Sequence, residues 1–477
     1  MQSVPFIFLV VAALFTHGCA ANNNNTPPVN KDAGVKDSVA ATPAPPDSFP
    51  VGKVIDTVIC TANGAQSYAL YIPAGGNKTA LPVIYFFDPH GSGSLPLRTY
   101  RQLANTYGFI LIGSNNSKNG NNWDLTETIW QTLFDDTKKR LNINLQRIYT
   151  AGFSGGAKVA GYVALQHPEI KGVIANGAGL PDGAPADNYG FSLTALAGEG
   201  DMNMTELVAI NAAFDKTSTR HRIIVFNGKH EWAPEATMDK AFSGFQFDAM
   251  RSKLLPVNKT LINGFTTSSK NSIDKNYKEN LLVKAVAQCT LAVSLLQGLE
   301  DVSWFEQKAA TITSMAAYKQ QLQSQQQLLE KEQQIKAQYM QQFQQGDMPY
   351  WTKTISDLQA KAKALTGEGA MYQRLLAYLS LAFYSYSNQL IKSNQNDGAQ
   401  YFVTLYKMAD PTNSEAWYFS AILQARKNEV AGVESDLLQA VKYGFTDKDR
   451  LRQQPEFKQV NLNFSRIENA IKLLGTK

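Results

Sequence analysis

At 477 residues, with 44% hydrophobic and 18% charged residues, the chain has a globular composition and is too long for one hydrophobic core. A net charge of +5 spread thinly, without a dense Lys/Arg block, argues against a nucleic-acid partner. Three cysteines with no Cys-x-x-Cys spacing argue against a disulfide scaffold and a zinc site; Cys60 and Cys289 are expected as buried free thiols, with a pair between them in an oxidising compartment as the alternative.

Residues 4–15 are apolar over too short a length to span a bilayer comfortably and read as the hydrophobic part of an export signal, although no Lys or Arg precedes them. Thr16-His17-Gly18-Cys19 follows and resembles the signal of bacterial lipoproteins, in which a small residue precedes a cysteine that is lipidated and becomes the new N-terminus. The resemblance implies removal of residues 1–18, lipid on Cys19, a membrane anchor, and a place in the periplasm or cell envelope. His17 and the distance back to Leu14 depart from the usual pattern. Residues 19–50, rich in Asn, Pro, Ala and Thr, offer almost nothing to bury and read as a tether.

Folded structure is expected from Val51. Val54–Cys60 and Ser67–Ile72 read as strands joined at Asn63-Gly64, and Leu81–Phe87 as a strand buried on both faces. A helix near Leu97–Tyr107 follows, then strands at Phe109–Ile112, Ile148–Ala151, Gly172–Ala175, Leu193–Ala197 and Arg222–Phe226. Alternating strands and helices predict an α/β parallel sheet over residues 51–250, with the functional site at the carboxyl ends of its strands.

One stretch supplies the chemistry. In Gly152-Phe153-Ser154-Gly155-Gly156 a Gly-x-Ser-x-Gly pattern sits between a strand and a small-residue helix, the setting of a sharp turn that projects a nucleophilic serine. Serine needs an adjacent base, itself oriented by a carboxylate. Of the five histidines, His17 leaves with the signal and His167 ends the helix after the serine. His221 precedes a strand and His90 lies in the loop after an early one, which leaves His230, just past a strand end, as the base. The carboxylate is expected from the preceding strand end, Gly198-Glu199-Gly200-Asp201, with Asp201 preferred and Glu199 its rival. The oxyanion should meet the N–H of Gly155 and a second N–H from His90-Gly91-Ser92-Gly93, that of Gly91 or Ser92. His90 is expected to support that loop and, with Trp232 and Asn116, to border the substrate pocket. The polar run Gly113–Trp123 suits a carbohydrate-linked acyl substrate or is a plain surface loop.

On these marks, residues 51–250 resemble the α/β-hydrolase superfamily, and within it the dienelactone hydrolase, feruloyl esterase and polyhydroxybutyrate depolymerase group. The resemblance implies Ser154, Asp201 and His230 as a triad. The features predict an exported serine esterase working through an acyl-enzyme on an ester substrate, carbohydrate-linked or polymeric, with no metal or cofactor. A peptidase on the same fold and a non-catalytic binding protein built on a hydrolase fold are the alternatives.

Past Phe247 the strand pattern stops, and residues 270–477 are expected to form an all-α domain. Leu281–Gln297 and Val302–Ser314 read as helices, as does the glutamine-rich Tyr318–Gln345 with Leu322, Leu329, Ile335, Tyr339 and Phe343 along one side. Trp417, Ala421, Leu437 and Ala440 after Asp410-Pro411, with a fainter earlier copy at Tyr378, Ala382, Ala399 and Pro411, resemble a tetratricopeptide repeat. That resemblance implies a surface for a protein partner.

Overall fold

The structure, a computed structural model, describes residues 49–76, 79–364 and 366–474. The expected export signal, Cys19 and the tether up to Ser48 lie outside the described residues. The chain forms two compact units, one running through Gln326 and the other from Gln327.

The first unit is built on an eight-stranded sheet: β1 (Val54–Ile59), β2 (Ser67–Tyr71), β3 (Leu81–Phe87), β4 (Ile110–Ser114), β5 (Ile143–Phe153), β6 (Ile170–Asn176), β7 (Ser192–Gly198) and β8 (His221–Phe226). Their spatial order is β1-β2-β4-β3-β5-β6-β7-β8. Only β2 runs against its neighbours; β3 to β8 are parallel. This order, with one reversed strand near one edge and crossover helices between the parallel strands, is the α/β-hydrolase fold.

Strand periodicity divides the core. Along β3, Val83, Tyr85 and Phe87 pack to one side with Trp130 and Leu133 of α2 (Trp123–Arg140) and Ala157, Ala160 and Val163 of α3 (Gly155–Gln166). Ile84 and Phe86 turn to the other side, with Leu97 and Tyr100 of α1 (Ser94–Tyr107). Each such side chain, taken fully out of water, contributes about 1.5–3 kcal/mol before the entropy of ordering it is counted. Cys60 belongs to the first layer and Cys289 to the second, and both are free and buried. Burial pushes the thiol of each up to about 11, so neither is a ready nucleophile.

The second layer extends well past residue 250. After α4 (Met204–Ala213) and α5 (Glu235–Arg251) come α6 (Lys259–Lys278), α7 (Leu282–Leu296) and α8 (Ser303–Ser314). Ile262, Ile273, Leu282, Leu295, Phe305 and Ile312 of these helices share one core with Phe242 and Phe245 of α5. Arg251 also donates from Nε to the Gln297 carbonyl at 2.7 Å and from Nη2 to the Leu295 carbonyl. The division expected between residues 250 and 270 therefore falls at Gln326, because the apolar faces of α6–α8 are spent on the sheet layer.

The second unit is all helical. It takes up α9 (Ala316–Gln345) from Gln327 onward and adds α10 (Met348–Lys361), α11 (Gly367–Lys392), α12 (Asn396–Ala409), α13 (Ser414–Arg426), α14 (Val430–Lys442) and three short helices up to Leu474. Connections of three or four residues join α11 to α12, α12 to α13 and α13 to α14. Ala382, Ala399, Ala421, Leu437 and Ala440 are buried among them. Of the stripe on the glutamine-rich helix, Tyr339 and Phe343 are buried, Phe343 stacking on Trp351 at 5.2 Å. Inside this unit the buried Glu332 accepts from Arg374 Nε at 2.8 Å and pairs with Lys336 at 2.7 Å.

Candidate active site

Because β3 and β5–β8 are parallel and in register, Phe87, Phe153, Asn176, Gly198 and Phe226 all end on one edge of the sheet. The loops leaving that edge hold the site. Between β5 and α3, Ser154 adopts φ 54° and ψ −123°, a conformation unfavourable for a residue with a Cβ and maintained by the surrounding fold. The glycines on either side permit it: a Cβ on Gly152 would lie 2.0 Å from the Gly156 carbonyl oxygen, and one on Gly156 2.0 Å from that of Phe87.

Ser154 is 6% exposed, and its Oγ lies 3.0 Å from Nε2 of His230, in the loop after β8. Nδ1 of the same ring lies 3.0 Å from Oδ1 of Asp201, in the loop after β7. A carboxylate only accepts, so the ring proton sits on Nδ1 and Nε2 is left to accept from the serine hydroxyl. Asp201 is 0% exposed, its Oδ1 also accepts the Asn203 N–H at 2.8 Å, and its Oδ2 is buried without a partner among the described residues. The rival Glu199 is held elsewhere, 2.6 Å from Lys284 Nζ on α7. Two other histidines are occupied away from this edge: His167 by Glu127 at 3.0 Å and His221 by Asp215 at 2.9 Å.

Two supports were not legible in the sequence. Asn176, buried at the end of β6, accepts the Ser154 N–H on its backbone carbonyl at 2.8 Å. Its side chain accepts the Ala233 N–H at 2.7 Å and donates to the Glu231 carbonyl at 3.1 Å, clasping the histidine loop to the elbow. Asp88 directly follows β3 and receives Trp232 Nε1 on Oδ2 at 3.0 Å. Trp232 packs against Phe86, Tyr100 and Phe153, while the Phe153 ring lies 4.7 Å from that of His230.

Asp88 also changes the reading of its own loop. Its Oδ1 accepts the His90 N–H at 2.9 Å and is approached by the Ser92 N–H at 3.4 Å, and its carbonyl accepts the Gly91 N–H at 3.0 Å. The N–H groups of Gly91 and Ser92, expected to face an oxyanion, turn toward Asp88 instead, that of Ser92 to its buried carboxylate and that of Gly91 to its backbone carbonyl. Burial alone would raise the Asp88 pKa, but the hydrogen bonds from His90 and Trp232 outweigh it and hold the carboxyl below the usual carboxylate range. The His90 side chain is 70% exposed, beside Asp88 at the surface. Asn116, expected at the pocket, instead accepts the Ser67 N–H at 2.8 Å and donates to the Ala65 carbonyl at 3.1 Å, fastening the β1–β2 turn. A different residue of that loop, Asn119, stands over Gly155: its Oδ1 is 1.9 Å from where a Gly155 Cβ would be.

Among the described residues, no group of three His, Cys, Asp or Glu side chains could hold a metal, and no helix is long and apolar enough to cross a membrane. No family model matches the chain, and no curated protein matches it. Solved structures do resemble it. A hyperthermophilic esterase from the archaeon Pyrobaculum calidifontis is 13% identical, over 42% of this chain and 85% of that one, with a TM-score of 0.33. EstE1, a thermostable carboxylesterase cloned from a metagenomic library, is 14% identical over 43% and 91%, with a TM-score of 0.35. The esterase Est2 of the planctomycete Thermogutta terrifontis is 13% identical over 42% and 95%, with a TM-score of 0.33.

Proposed function

We propose that this protein is a serine hydrolase that cleaves carboxylic esters through an acyl-enzyme. The observation that carries the reading is the hydrogen-bonded chain Ser154 Oγ–His230 Nε2 and His230 Nδ1–Asp201 Oδ1, with 3.0 Å at each link, mounted on a strained elbow. In the first half-reaction Nε2 takes the hydroxyl proton as Oγ attacks the ester carbonyl. The tetrahedral oxyanion is met by the Gly155 N–H, which opens α3 and has no intrahelical acceptor. Collapse expels the alcohol, protonated by His230, and leaves the acyl group on Ser154. A water, deprotonated by the same nitrogen, then releases the acid and restores the serine.

A fluorophosphonate probe and a panel of p-nitrophenyl esters test this. The parent should be labelled at Ser154 and turn over at least one ester, and Ser154→Ala should lose both, with turnover down by on the order of a millionfold. An unlabelled, inactive parent, or an active Ser154→Ala, overturns it.

The same proposal includes export and a lipid on Cys19, supported by the signal-like segment before it and the tether composition after it. Cys19→Ser should release the protein from membranes or block its processing; unchanged membrane association and mass would refute the anchor. For residues 327–477, the sequential helical pairs support a binding surface for a partner or a large substrate.

A further inference from the structure

We infer that the side-chain carboxamide of Asn119 is the second oxyanion donor, an inference that rests on the serine hydrolase reading above. A tetrahedral oxyanion beside Ser154 needs two donors fixed before the reaction. Gly155 supplies one from the first turn of α3. In the neighbouring loop the N–H groups of His90, Gly91 and Ser92 are all drawn to Asp88, and Pro89 has none.

The polar side chain that reaches the Gly155 backbone is Asn119. Measured from where a Gly155 Cβ would stand, its Oδ1 lies at 1.9 Å, its Cγ at 3.0 Å and its Nδ2 at 3.5 Å. The carboxamide has no hydrogen-bond partner among the described residues. A half-turn about the Cβ–Cγ bond exchanges oxygen and nitrogen at constant volume, which brings an N–H to the place now held by Oδ1.

The loop bearing it is firmly held. The Asn119 N–H donates to the Pro89 carbonyl at 2.8 Å, and Lys118 pairs with His90 as an isolated β-bridge. Asn121 Nδ2 donates to the Asn116 carbonyl at 3.0 Å, and Asn116 is itself fastened to Ser67 and Ala65. Donation from a side chain on a fixed loop needs no movement of the backbone as charge develops, which limits the reorganisation that weakens such donors. It also explains the glycine after the nucleophile, since any larger residue would fill the space of the carboxamide.

The test uses the full-length protein and two variants. Asn119→Ala removes the carboxamide; Asn119→Asp keeps its shape but puts an acceptor where a donor is needed. Both should lose about 10²–10³-fold in kcat with KM within about threefold, and their phosphonylation of Ser154 by a fluorophosphonate should slow similarly. Thermal melts near the parent's establish that the loss is not unfolding. A role confined to packing would be rescued by Asn119→Asp. If that variant retains parental kcat, or if Asn119→Ala is phosphonylated at the parental rate, the assignment is overturned. Failure of the hydrolase reading itself looks different, because the parent would then show no labelling at Ser154.

Discussion

Asp88 and Trp232 are 144 residues apart in the chain, yet the Trp232 indole N–H donates to the Asp88 carboxylate at 3.0 Å. That bond ties the loop after β3 to the loop that carries His230. Asp88 also organises the donors of its own loop, so one buried carboxylate holds two walls of the site.

Asp88→Asn should therefore move both loops. Hydrogen bonds to a charged acceptor contribute about 1.5–3 kcal/mol, so a fall in stability of that order is expected, with a larger proportional fall in kcat/KM. The folded carboxyl is held below its ordinary range, so its contribution is fully present above the unfolded pKa and is lost as pH falls through the folded one. Melting of the parent and Asp88→Asn across pH 2 to 6 checks this, using the carboxylate reference of about 3.9. The difference between them should shrink toward the acid end; a constant difference would show that Asp88 is not the titrating group.

The carboxylate behind His230 is open to a direct contrast. Asp201 faces Nδ1, whereas Glu199 is engaged by Lys284. Asp201→Asn should cost roughly four orders of magnitude in kcat through the wrong imidazole tautomer. Glu199→Gln should stay within a few fold. The reverse ranking would transfer the orienting role to Glu199.

How much of this was legible beforehand follows from what periodicity and motifs encode. Leu81–Phe87 was readable as a doubly buried strand because an apolar run flanked by turn residues has few other uses. The elbow announced itself through glycines whose close contacts permit the turn. Asn176 and Asn119 were silent, because an asparagine gains its role only when distant loops converge on it. The Gly91-Ser92 donors were misread for a related reason: nothing in His-Gly-Ser-Gly shows that Asp88 would be buried and collect their N–H groups. Helices α7 and α8 were visible as helices, but an amphipathic pattern does not say which core its apolar face will join.

Asp248 on α5 gathers Arg222 of β8, Arg220 and Arg251. Burial opposes its charge, but the three guanidinium groups outweigh burial and lower its pKa. Removing this one carboxylate would leave Arg222, 3% exposed, as an uncompensated buried cation. Asp248→Asn should lower stability by about 3–5 kcal/mol, read from denaturant midpoints, while turnover per folded molecule stays near parental because the cluster lies away from Ser154. Preserved stability would mean the arginines have other acceptors.

The last prediction concerns where the chain can be cut. A chain ending at Gly264 stops inside α6 and deletes Ile273, Leu282, Leu295, Phe305 and Ile312 from the layer under α5. At about 1.5–3 kcal/mol for each fully buried side chain, that loss is comparable to the whole stability of an ordinary domain, so this form should aggregate or unfold. A chain ending at Gln326 keeps the complete first unit. It should melt cooperatively and hydrolyse a small soluble ester within a few fold of the full-length rate, since the proposed triad and oxyanion donors all precede residue 231. Activity on a large substrate, or capture of a partner, should be what it loses. A folded chain ending at Gly264 would restore a boundary near residue 250. A folded but inactive chain ending at Gln326 would give the helical unit a part in the chemistry.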